Sequence, residues 1–164
     1  MKKMLILAIP VLAICFLTPW IIYTGGERKN PPFTCESNFS LSAFWKNDKN
    51  IPIVINADLK LSFINNENGI LSAMGNVERN GNIYFLARRL NFHTSQTPLG
   101  NMKKVTFTKE TAHISDNTPD EIWKTYFLPE QLGVDFYADT KVLNDNTMLI
   151  RAFSTPYSIC VIPE

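Results

Sequence analysis

Ile53-Val54-Ile55-Asn56-Ala57-Asp58-Leu59-Lys60-Leu61-Ser62-Phe63 alternates two kinds of side chain. Ile53, Ile55, Ala57, Leu59, Leu61 and Phe63 are apolar, while Asn56, Asp58, Lys60 and Ser62 between them are polar. A period of two held over this length requires a strand with one face against a core and the other toward water. Asn65-Asn66-Glu67-Asn68-Gly69 then supplies turn residues. Ile70 to Glu78 places Leu71, Ala73, Gly75 and Val77 in one register, so the two runs form a hairpin. Asn80-Gly81 is a two-residue type I′ turn, because both residues tolerate positive φ. The third strand, Ile83 to His93, has Tyr84, Leu86, Leu90 and Phe92 on one face with Arg88 interrupting them. Its other face carries Ile83, Phe85 and Ala87.

Beyond this hairpin series, Pro98-Leu99-Gly100 makes a turn and Lys103 to Ile114 a fourth meander strand. Thr118 is placed to cap a short helix, Pro119 suits its first position, and Asp120 and Glu121 favour its N-terminus. The helix runs to about Phe127, and Pro129 stops it. Val134 to Tyr137, a turn at Asn144-Asp145-Asn146, and Thr147 to Phe153 with Tyr157 to Ile162 complete the chain. The last two segments read as one strand bent at Pro156. Phe33 to Trp45 is the first strand. The expected fold is α+β, a mainly antiparallel β-meander forming a sheet or half-barrel with one short helix, preceded by one N-terminal transmembrane helix.

That leading helix rests on Met4 to Tyr23, twenty residues without a charge, preceded by Lys2 and Lys3. A cleaved signal peptide has an apolar core of roughly 7–15 residues and a small-x-small exit, whereas a bilayer span needs roughly 20. Here the exit, Thr18-Pro19-Trp20-Ile21-Ile22-Tyr23, is bulky, which favours a retained anchor. A lipoprotein reading of Leu12-Ala13-Ile14-Cys15 fails at Ile14. The layout is then a cytoplasmic N-terminus over 1–3, a membrane helix over 4–24, a linker over 25–32 and a β-rich domain over 33–164.

Sixteen Lys and Arg stand against fifteen Asp and Glu, a net charge of +1, so direct nucleic-acid binding is not expected. Two His and three Cys, none close-spaced, give no metal site, and no phosphate loop or nucleophile elbow appears. No cofactor is expected. Cys35 and Cys160 are the only cysteines after the apolar segment. They pair as a disulfide if the domain lies in an oxidising compartment, the alternative being two separate buried thiols. Phe85, Phe92, Phe107, Trp123 and Tyr126 are candidates to line a cavity for a small apolar ligand such as a bile salt or fatty acid, against the plainer reading that they fill a core. His93 and His113, near Glu110 and Asp116 in sequence, have no nucleophile beside them, so an enzyme is not expected. Arg88 and Arg89 face opposite ways on a strand, so at most one reaches any given anion.

In layout the chain resembles the FidL-like membrane proteins of enteric bacteria. The features that carry the resemblance are the N-terminal membrane helix, Cys35, the hairpin centre from Gly75 to Arg89, and the ending Leu149-Ile150-Arg151 through Pro156-Tyr157-Ser158-Ile159-Cys160. The resemblance implies a single-pass inner-membrane protein with its C-terminal domain in the periplasm. It also implies a companion of a membrane-bound ToxR-type regulator, as ToxS-like proteins are, contacted through the periplasmic domain.

Overall fold

The computed structural model describes residues 32–45, 48–152 and 155–163. The expected membrane helix over 4–24 lies outside the described residues. Among those described, no helix is long and apolar enough to cross a membrane.

The elements run in the order β1 (Phe33–Trp45), β2 (Asp48–Phe63), β3 (Asn68–Arg79), β4 (Asn82–Gln96), β5 (Lys103–Ala112), α1 (Asp120–Tyr126), β6 (Asp135–Asn144), β7 (Thr147–Ala152) and β8 (Thr155–Val161). Each strand pairs antiparallel with the next, and β8 returns to β1, closing a barrel. The expected sheet or half-barrel is therefore corrected to a closed eight-stranded barrel. Eight is the strand number at which side chains just fill the interior.

The period-two pattern sets the inside of the wall. Ile53, Ile55, Ala57 and Leu59 on β2 are buried, and they stand opposite Arg79, Val77, Gly75 and Ala73 on β3. Asn80 and Gly81 both have positive φ, 52° and 75°, as the tight β3–β4 turn requires. Gly75 serves a different need. A Cβ there would sit 2.2 Å from the Asn56 carbonyl oxygen, so only glycine lets β3 lie this close to β2.

Two expectations about local structure are corrected. Thr118 does not cap α1: the cap position is Pro119, without a side-chain bond, and the Thr118 hydroxyl donates instead to the Phe85 carbonyl at 3.1 Å. The C-terminal segments are two strands rather than one bent strand. Ala152 pairs with Thr155, and Met148 with Cys160, so β7 and β8 form a hairpin.

The interior is one apolar cluster in which Ile53, Ile55, Val77, Leu86, Leu90, Ile122 and Trp123 are fully buried. α1 delivers Ile122 and Trp123 to it, and Phe127 follows at the helix end, stacked on Trp123 with ring centroids 5.0 Å apart. A smaller cluster of Cys35, Met148 and Cys160 sits where β1, β7 and β8 meet.

Candidate functional site

The row of inward residues on β4 contains one charge. Tyr84, Leu86, Leu90 and Phe92 share a face with Arg88, whose side chain is 5% exposed. A guanidinium this deep requires an acceptor for every donor. Arg88 has them: Nε donates to Asp116, Nη1 to Glu110 Oε1 at 3.0 Å and Asp120 Oδ1 at 2.8 Å, and Nη2 to Asp116 Oδ1 at 3.2 Å and the Thr118 carbonyl at 2.6 Å.

Each partner arrives by a different local device. β4 and β5 pair with a register shift beside Asn91: Asn91 faces Lys109, and Phe92 faces Phe107. The extra residue, Thr108, makes a bulge that reverses inside and outside along β5. Val105 and Phe107 point inward before it, and Glu110 turns inward after it to stand opposite Leu90. Asp116 belongs to the segment after β5. Its carboxylate accepts from the Ala87 and Thr118 amides at 2.8 and 3.0 Å, and Asn117 Oδ1 accepts from the Phe85 amide at 2.6 Å. These two side chains replace a strand beside the part of β4 that β5 does not reach. Asp120, the first residue of α1, ties the helix to the same arginine.

The charges reinforce this tie. Burial works against the Arg88 cation, but hydrogen bonds and charge from Asp116 and Asp120 outweigh it and raise its pKa above the ordinary value. The hydrogen bond from Arg88, followed by its charge, holds the Asp120 carboxyl below the usual carboxylate range. With all five N–H groups engaged, Arg88 has no donor left for an anionic ligand. The cluster clamps α1 and the 113–118 segment onto β4. Arg89 is exposed, on the outer face.

The five expected cavity residues separate. Phe92, Phe107 and Trp123 are buried in the core, packed against Phe63, Phe136 and Phe127 with centroid distances of 5.3, 5.2 and 5.0 Å. Tyr126 is partly buried beside Trp45. Phe85 is a correction: it is 38% exposed, because the even positions of β4 face inward and it stands on an odd one. Sequence reasoning gave no role to the indole N–H of Trp123, which is buried without an acceptor among the described residues. Leaving such a donor unpaired costs about 1–3 kcal/mol. A shallow groove of ≈ 310 Å³ lies elsewhere, between Pro129 and Glu130 on one side and Phe136 and Tyr137 on the other.

Cys35 and Cys160 are joined as a disulfide, with Cα atoms 5.4 Å apart, linking β1 to β8. His93 Nδ1 lies 3.2 Å from Asn68 Oδ1, and His113 Nδ1 lies 2.7 Å from Ser115 Oγ. Neither ring is paired with Asp116 or Glu110, which serve Arg88. Among the described residues no group of three or more His, Cys, Asp or Glu is arranged to hold a metal ion.

On the outside of the same wall, apolar residues face water. Met74 is 60% exposed on β3, Ile83 is 70% exposed on β4, and Phe85 stands between their levels. Ile114, 98% exposed, follows His113, whose amide donates to the Ala87 carbonyl. Met74, Ile83 and Phe85 share the outer face of the paired strands β3 and β4.

Fold and site together define a closed antiparallel barrel with a packed interior, fastened by a buried arginine cluster and a seam disulfide. Residues 75–160, from the Gly75 crossing to Cys160, match the family described as FidL-like putative membrane protein. The chain belongs to that family. A search of curated proteins finds no match.

Proposed function

We propose that this chain is a non-catalytic, membrane-anchored accessory protein whose barrel faces the periplasm and binds a membrane-bound regulator of the ToxR type. The observation that carries this reading is the distribution of apolar surface. The inside of the barrel is occupied by its own side chains, while among the exposed apolar side chains Met74, Ile83 and Phe85 stand together on the outer face of β3 and β4. Neighbouring apolar side chains on one outer face are the kind of surface a partner covers. Membership in a family of membrane proteins and the seam disulfide fit an anchored, exported domain. Anchoring both proteins in one bilayer raises their effective concentration, so a modest contact is enough to bias the regulator between two states.

The test is co-purification of the full chain from detergent-solubilised membranes. Unsubstituted protein should carry with it a membrane protein that has a DNA-binding domain, and Ile83→Asp with Phe85→Ser should lose it while keeping the barrel's circular dichroism. Equal recovery by both would refute the outer-wall contact.

A second reading, capture of a small apolar ligand such as a bile salt or fatty acid, is favoured by the unpaired indole N–H of Trp123. A ligand oxygen in the interior would satisfy it. Thermal shift with bile salts and fatty acids tests this reading; stabilisation that Trp123→Phe abolishes would support it, and no shift with either would reject it.

A further inference from the structure

The barrel is closed at its seam by very little. β1 pairs with β2 from Phe33 to Trp45, but among the described residues it meets β8 in one ladder pair, Glu36 with Val161. The disulfide and a 2.6 Å contact between the Ser37 and Ser158 hydroxyls add to that pair. Past Ser37, the edge from Asn38 to Trp45 has no second strand beside it among the described residues. One group on it, the Phe44 carbonyl, accepts from the Tyr126 hydroxyl at 3.4 Å.

Free edges are normally blunted by a charge, a proline or a bulge. β8 carries Pro156, which has no amide to offer. The edge Asn38-Phe39-Ser40-Leu41-Ser42-Ala43-Phe44-Trp45 has no charge and no proline, and its register against β2 is unbroken as far as Phe44. Trp45 at its end is buried beside Tyr126, but the inward side chains before it are incompletely covered. Phe39, Leu41 and Ala43 are only partly buried, whereas Ile53, Ile55, Ala57 and Leu59 on the neighbouring strand are buried.

We infer that this edge of β1 is an interface with a second copy of the chain, the two β1 strands pairing antiparallel about a twofold axis at Leu41. A twofold strand pair sets a segment against its own reverse, and this one carries no charge that would be left unpaired across the axis. In that register Ser40 faces Ser42 of the other copy on the outside, and Phe39 faces Ala43 on the inside. Large therefore meets small, and each copy covers the other's Phe39 and Leu41. New main-chain hydrogen bonds hold the pair. The edge is separate from the wall bearing Ile83 and Phe85, so the inference does not rest on the regulator.

The full chain in a Cys15→Ser background, purified in mild detergent, should be dimeric by light scattering. Copies carrying Ser40→Cys mixed with copies carrying Ser42→Cys should form an intermolecular disulfide under mild oxidation, and Asn76→Cys, on the outer face of β3, should not. Ser40→Lys with Ser42→Lys alters only outward side chains and should weaken the dimer at least about tenfold through like-charge contact. A monomer at micromolar concentration would overturn the inference. So would a dimer that links through Asn76→Cys, or one indifferent to the lysines, which would place the contact elsewhere.

Discussion

Arg88 holds three separate pieces of chain, and its removal should show what such a clamp contributes. Arg88→Met leaves Asp116 buried without its cation, so the full chain in detergent should lose about 3–5 kcal/mol in chemical denaturation. Arg88→Lys should not restore it, since one ammonium cannot reproduce five fixed donors. Asp120 gives the same clamp a pH dependence. Its pKa is lower folded than unfolded, so its contribution is complete above the ordinary carboxylate range and disappears as pH falls through the lowered value. Asp120→Asn should therefore be less stable than the parent at neutral pH and converge with it in acid, as denaturation midpoints across pH will measure. In the sequence, Arg88 shows only as a break in an apolar row. Its partners are not readable there, because Glu110 turns inward only through the Thr108 bulge, and Asp116 reaches β4 only because β5 ends early.

Among the elements, the first five strands and the helix follow from sequence because their signals are local: alternation, turn residues, and a proline before acids. Asn80-Gly81 adopts the positive φ values its composition demands. Gly75, which alternation alone would treat as a weak strand position, is where β2 and β3 nearly touch. Gly75→Ala should cost about 1–3 kcal/mol, read as a lowered midpoint, because the clash is with backbone that has nowhere to move. The β7–β8 hairpin escaped prediction for a chemical reason. Its connection, Phe153-Ser154, holds no glycine, asparagine or aspartate to mark a turn, and Pro156 is the more visible punctuation.

For the whole molecule, closure is the property that alternation could not reveal, since the same strands serve an open sheet equally well. It depends on the ends of the domain meeting, and there the disulfide carries much of the burden. Cys35 and Cys160 are 125 residues apart, so the bond restricts the unfolded chain by about 4–5 kcal/mol in the chain-entropy description. Reductant should lower the thermal midpoint of the parent and leave a Cys35→Ser, Cys160→Ser variant unchanged. For a closed barrel packed with its own aromatic side chains, we propose the outer wall as the surface for recognition. Photocrosslinking in intact cells tests that most directly, with a photoreactive phenylalanine analogue at position 85, outside the wall, or at position 92, inside it. Outer-wall recognition predicts a covalent adduct with a membrane-spanning DNA-binding regulator from position 85 and none from position 92; an adduct with a small apolar molecule from position 92, and no protein adduct from position 85, would contradict it.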